Sequence, residues 1–122
     1  MGATKARTSI WSAQTLTAGA GNTTSSGIDL SGGYGAEVGI KLTNGGTGPT
    51  VAAQVQVQVA NDSSGTLWTN FGGPLVGSTT ASAVSYWVVE IPPEAAAVRL
   101  VAGSNTGQNV TVDADVSNIT GL

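Results

Sequence analysis

Two neighbouring stretches alternate apolar and polar side chains with a period of two, and they narrow the fold more than any other feature. In Ala36–Asn44 the even positions Ala36, Val38, Ile40 and Leu42 are apolar, with Glu37, Lys41 and Thr43 between them. Successive side chains of a strand point to opposite faces, so this stretch has one face for a core and one for water. After the turn-forming run Asn44-Gly45-Gly46-Thr47-Gly48-Pro49, the odd positions Val51, Ala53, Val55, Val57 and Val59 alternate with Gln54, Gln56 and Gln58. The pattern predicts a long strand with one buried face and one polar but uncharged face.

The same reading extends along the chain. Met1 to Arg7 holds two of the cations and no apolar period, so residues 1–7 are expected to form a flexible N-terminal arm, with a single domain over 8–122. Strands are expected at Thr8–Thr17, Ile28–Leu30, Thr66–Phe71, Val84–Ile91, from Val98 to Ala102 and at Asn109–Ile119. In the last of these Val110, Val112, Ala114 and Val116 face inward, and Thr111, Asp113, Asp115 and Ser117 face outward. Pro92-Pro93 ends the strand before it, and Glu94 to Ala97 is expected to make one helical turn. Loops rich in Gly, Ser, Thr and Asn separate these segments, and no amphipathic helix stands between any pair. The expected fold is all-β, an antiparallel β-sandwich of about seven to eight strands, with immunoglobulin-like or jelly-roll order left open by alternation alone.

Charge and chemistry exclude whole classes of function. Among 122 residues only 9% are charged, the formal net charge is −3, and the basic residues Lys5, Arg7, Lys41 and Arg99 form no cluster. A nucleic-acid surface needs clustered cations, so no nucleic-acid partner is expected. The sequence has no His and no Cys, which removes the usual near-neutral general base, the thiolate nucleophile and most zinc and iron sites. No cofactor and no metal are therefore expected, nor is a membrane partner, since no apolar stretch approaches the roughly 20 residues of a span. Met1 to Arg7 is not followed by a signal-peptide core, so synthesis and folding in a cytoplasm are expected.

Several residues invite a chemical role. Asp113 and Asp115 lie two apart on one strand face, about 6.6–7 Å by strand rise, near the spacing of an inverting carboxylate pair. Two carboxylates on the exposed row of a strand serve solubility more readily than catalysis, and no catalytic residue is expected. The glycine clusters lack the strand-to-helix context of a phosphate loop and read as turns. Trp87 sits in an apolar strand and is expected in the core, whereas Trp11 and Trp68 could anchor a partner or stack on a sugar. The row Gln54, Gln56 and Gln58 suits ordinary solvent surface or, the preferred expectation, a subunit interface, where charged side chains would carry a desolvation cost. So low a charge fraction suits a chain packed among its copies or against another surface.

The run Ile40-Lys41-Leu42-Thr43-Asn44-Gly45-Gly46-Thr47-Gly48-Pro49-Thr50-Val51, then Ala53-Gln54-Val55-Gln56-Val57, resembles small β-sandwich structural proteins of tailed bacteriophages. Ile91-Pro92-Pro93-Glu94-Ala95-Ala96-Ala97-Val98-Arg99-Leu100 and Asn105-Thr106-Gly107-Gln108-Asn109-Val110-Thr111-Val112 resemble the same group, so the likeness spans about Gly35 to Ile119. The resemblance implies a non-enzymatic virion component: a capsid decoration or cement protein, or a tail or fibre accessory module. It implies the major capsid protein or another virion protein as partner, self-association as a homo-oligomer such as a trimer, and a place in the virion after synthesis in the host cytoplasm. Expected protein contacts are Lys5, Arg7, Trp11, Gln54, Gln56, Gln58 and Trp68. The alternative is a module binding host-surface glycan through exposed Trp68, Tyr34 or Trp11.

Overall fold

The alternating segments form strands as their periodicity predicts, and the computed structural model, which describes residues 3–122, gathers them into two antiparallel sheets. In chain order the strands are β1 (Thr4–Leu16), β2 (Thr23–Thr24), β3 (Ile28–Asp29), β4 (Ala36–Asn44), β5 (Gln54–Ala60), β6 (Thr69–Asn70), β7 (Leu75–Val76), β8 (Val84–Ile91), β9 (Ala97–Gly103) and β10 (Val110–Gly121). The four-stranded sheet runs β1-β10-β4-β8. In the six-stranded sheet β9 and β5 lie side by side, with β2 and β3 on the far side of β9 and β6 and β7 on the far side of β5.

This pairing resolves the topology. If β2 with β3, and β6 with β7, are taken as interrupted strands, the first strand pairs with the last and the nesting continues inward. β1 meets β10, β2 and β3 meet β9, β4 meets β8, and β5 meets β6 and β7. A long hairpin rolled into two sheets in this way has jelly-roll connectivity, so the order is not immunoglobulin-like.

The core lies between the sheets and is built from the inward rows read in the sequence. Val38, Ile40 and Leu42 of β4 and Val110, Val112 and Val116 of β10 pack from one sheet, and Val55, Val57, Val98 and Leu100 from the other. Full burial of each such aliphatic side chain contributes about 1.5–3 kcal/mol. Leu16 and Leu30 fill the ends of this layer, and Trp11, Trp87 and Val89 cover its flanks, half-buried.

Some expectations are corrected. Ordered structure begins before Thr8: Thr4 to Arg7 belong to β1 and pair with Gly121 to Ser117 of β10. These residues are exposed and carry no large apolar side chain on either face, so they give no periodic signal, and the backbone ladder to β10 recruits them. Met1 and Gly2 of the expected arm lie outside the described residues. Val51 does not join the buried row of β5; it is exposed and makes one isolated bridge to Thr106. Pro92 to Ala95 closes a single turn through the Ala95 N–H to the Pro92 carbonyl at 3.1 Å rather than a helical turn. The strand expected at Thr66–Phe71 is confined to the two residues of β6, and the two-residue strands β2 and β7 carry too few residues to show a period.

Two buried asparagines fasten loops to this frame. Asn44 Nδ2 donates to the carbonyls of Ser78 and Thr80, each at 2.8 Å, and so holds the β7–β8 connection against the end of β4. Asn105 Nδ2 donates to the Leu16 carbonyl at 2.9 Å and the Gln108 carbonyl at 3.0 Å, pinning the β9–β10 turn to the end of β1. Asn105→Ala is expected to lower the unfolding free energy by about 2–3 kcal/mol in urea titration, because the buried Leu16 carbonyl is left without its donor.

Candidate functional site

The two sheets differ sharply in charge. β2, β5, β6 and β7 carry no charged residue, and the rest of the six-stranded sheet holds only Asp29 on β3 and Arg99 on β9. The four-stranded sheet carries Lys5 and Arg7 on β1, Glu37 and Lys41 on β4, Glu90 on β8, and Asp113 and Asp115 on β10. The outer face of the six-stranded sheet is therefore the side that a partner can cover with the least loss of charge hydration.

That face is organised by the row expected from alternation. Val55 and Val57 turn inward, so Gln54, Gln56 and Gln58 turn outward, opposite Gly103, Val101 and Arg99 of β9. Gln58 Oε1 accepts from Arg99 Nε at 2.8 Å, and Gln58 Nε2 donates to Asn70 Oδ1 at 2.9 Å. Gln56 Nε2 donates to the carbonyls of Val57 at 2.9 Å and Gly72 at 3.1 Å. Gln54 stands at the end of the row, paired in register with Val76 and Gly103. The Arg99 guanidinium lies 4.5 Å from the centre of the Trp68 ring, a cation–π contact that fixes both side chains. The amides of Gln56 and Gln58 are thus paired within the chain before any partner arrives. Sequence reading missed Arg99. Its outward parity between Val98 and Leu100 was legible, but its place beside Gln58 depends on which strands meet.

Trp68 is held by the loop after β5. The Asp62 carboxylate accepts from the Thr66 hydroxyl and the Ser64 hydroxyl, each at 2.7 Å, and from the Thr66 N–H at 3.0 Å. These donors, the Thr66 hydroxyl foremost, hold the Asp62 carboxyl well below its ordinary value, at about 2. The loop turns at Gly65, whose φ is +67° and whose missing side chain leaves room for the indole; a Cβ there would lie 2.4 Å from the Trp68 ring. Arg99 thus occupies one face of the half-buried Trp68 ring.

The remaining expected contacts lie on the other sheet and are not brought together with the Gln row. Arg7 pairs with Asp115 at 2.5 Å, and Lys41 approaches Asp113 at 3.9 Å. Gly39 makes room for this ladder, since a Cβ there would meet Asp115 Oδ1 at 2.9 Å. Asp113 Oδ1 also accepts from the N–H of Ala13 at 2.8 Å, at a bulge of β1 where Ala13 takes φ +50°. Both carboxylates are therefore engaged in tying β1 and β4 to β10. Lys5 lies exposed on β1, and Trp11 packs half-buried against the core. Tyr34 is exposed and borders a groove that also includes Lys5, Glu37 and Glu90.

No family model matches the chain, and no curated protein matches it. Among solved structures it is similar to a chain of infectious bursal disease virus, Gt strain, with a TM-score of 0.59 and 10% identity over 96% of this chain and 32% of that one. It is similar to the SPBc2 prophage-derived protein YomS, with a TM-score of 0.51 and 16% identity over 96% of each chain. A third likeness is to Bacillus endospore appendages, described as a family of disulfide-linked pili, with a TM-score of 0.50 and 15% identity over 100% of this chain and 93% of that one. The chain thus spans about a third of the viral chain and nearly all of the other two, and at these identities the shared property is the fold.

The Asp62 loop carries a pH signature. Because the folded carboxyl titrates at about 2 rather than 3.8, its hold on the loop is complete above pH 3.8 and fades as the pH falls toward 2. Amide NMR is expected to show the Thr66 and Trp68 signals steady from neutral pH to about pH 4 and shifting below it, and Asp62→Asn to remove that step.

Proposed function

We propose that this chain is a non-enzymatic structural component of a bacteriophage virion, a decoration protein that docks on the outside of the capsid through its six-stranded sheet. The observation that carries the reading is the charge asymmetry between the sheets: the Gln54, Gln56 and Gln58 face is nearly free of charge, and the amides of Gln56 and Gln58 and the guanidinium of Arg99 are already engaged within the chain. A flat partner can cover such a face with little loss of hydration and little side-chain ordering, the two costs that most often cancel the gain from buried area. The jelly-roll, a fold that hosts many unrelated functions including capsid domains, is compatible with this role, as are the likenesses in shape to a virus and a prophage-derived protein.

The mechanism is linkage. A protein that binds the assembled shell and not its dissociated subunits stabilises the shell by mass action, by about 2.7 kcal/mol per site at a free concentration a hundred times its Kd. The major capsid protein supplies the docking surface, and self-association of the decoration protein adds avidity when neighbouring copies bridge capsomers. In this reading Trp68 and the Gln row form the centre of the contact, and Lys5 and Arg7 on β1 lie away from it.

A second reading, binding of host-surface glycan, is favoured by one observation, the exposed Tyr34 beside the carboxylates of Glu37 and Glu90, which offer a ring face and hydroxyl acceptors in one groove. Glycan binding that is abolished by Tyr34→Ala would select it.

The decoration reading is tested with capsid shells that lack this chain. Gln56→Lys places a charge at the middle of the docking face, and it is expected to weaken shell binding at least about tenfold while shifting the melting temperature little. Lys5→Glu, on the opposite sheet, is expected to leave binding unchanged. Loss of binding in Lys5→Glu but not in Gln56→Lys would move the contact to β1 and overturn the assignment.

A further inference from the structure

The four-stranded sheet ends on two strands that are built differently. At one edge β1 carries Lys5 and Arg7, and its register with β10 shifts at Thr4/Lys5, Ser9/Trp11 and Trp11/Gln14. Charges and bulges are the devices that keep an edge strand from pairing with another chain. At the other edge β8 has no bulge, and its one charge, Glu90, stands near its end. Val84 to Val89 contains no charge, proline or glycine, and its register with β4 runs unbroken from Val84 to Ile91. Among the described residues no strand pairs with its outer edge.

Both flanks of that open edge are apolar. Val84, Tyr86 and Val88 form an outward row that is 45%, 72% and 65% exposed. On the inner side Trp87 and Val89 are only half-buried where they cover the core. A row of unpaired backbone donors and acceptors between two apolar flanks is a template for another extended strand of the same character. The other outer strands of this chain do not match it: β2, β3, β6 and β7 span two residues each, and β1 is guarded. The edge that matches β8 in length, regularity and apolar character is β8 of another copy.

We infer that β8 pairs antiparallel with β8 of a second copy about a two-fold axis, joining two four-stranded sheets into one continuous sheet. With Trp87 at the axis, Tyr86 stands opposite the partner's Val88, an aromatic and β-branched pair of the kind that stabilises sheets. Glu90 then stands opposite the partner's Val84, so the two acidic side chains lie at opposite ends of the seam and do not meet. The contact is isologous, and it closes at two copies rather than growing into a fibre. One strand pairing buries less than the roughly 1,200 Å² of a standard interface, so the dimer is expected to be concentration-dependent. The inference rests on the assembly reading only in taking self-association as part of it. The seam and the docking face lie on different sheets and can fail separately.

The test is sedimentation equilibrium of the full chain from about 10 to about 500 μM, with circular dichroism to confirm folding. The expected result is a monomer–dimer equilibrium that Val88→Lys weakens at least about tenfold with little change in melting temperature. Because the chain has no cysteine, Val88→Cys provides a single thiol for a short bis-maleimide cross-linker. Covalent dimers are expected from it and not from Leu67→Cys, which is exposed in the loop before β6. A full chain that stays monomeric throughout, or an oligomer, trimer included, that cross-links no better through Val88→Cys than through Leu67→Cys, would overturn the seam. If Val88→Lys fails to fold, the cross-linking comparison decides. A dimer through β8 in a protein that does not bind shells would sink the docking reading and leave the seam standing.

Discussion

The last strand has to be inserted between the first and the fourth, and the rest of the structure depends on that insertion. β10 pairs along its length with β1 on one side and with β4 on the other. Its inward Val110, Val112, Ala114 and Val116 sit in the middle of the apolar layer, so the core is incomplete until it arrives. Its outward Asp113 and Asp115 then tie the neighbours together, through the Ala13 N–H and Lys41 on one hand and Arg7 on the other. Pairings between the two ends of the chain close the largest loops, which makes such a fold slow to form and cooperative once formed.

The nesting that begins with β1 and β10 also separates the two outer faces. It gathers the strands that bear most of the charge into the four-stranded sheet, where the cations and carboxylates of β1, β4 and β10 brace one another. It leaves β5 and β9 at the centre of a second sheet whose outer surface is amide-rich and carries Arg99 as its central charge. The proposed docking role follows from that division, because a partner that covers the second face has few charges to strip of water. The edge at β8 is a product of the same nesting: pairing with β4 on one side leaves the other side of an apolar strand open.

Much of this was legible in the sequence where alternation was strong. Ala36–Asn44 was bounded from its periodicity, Val84–Ile91 from its β-branched and aromatic run and the Pro92-Pro93 that ends it, and the inward rows of β4 and β10 were named residue by residue. Alternation says which side a residue faces and nothing about its neighbour across the ladder. For that reason the Gln row was visible while its partner Arg99 was not, and sandwich was visible while jelly-roll order was not. Thr4 to Arg7 looked like an arm because an edge strand with no large apolar side chain on either face shows no period, and only the β10 backbone defines it. Val51 obeyed the alternation of β5 yet lies beyond the strand, because its pairing is confined to one bridge with Thr106.

Hydrogen–deuterium exchange of the folded chain, measured free and bound to capsid shells, tests the division between the two faces most directly. If the six-stranded sheet is the docking face, binding slows exchange in β5, β9 and the loop around Trp68 and leaves β1 unchanged. Protection that appears in β1 and β10 instead, or no added protection in β5 and β9, would contradict it.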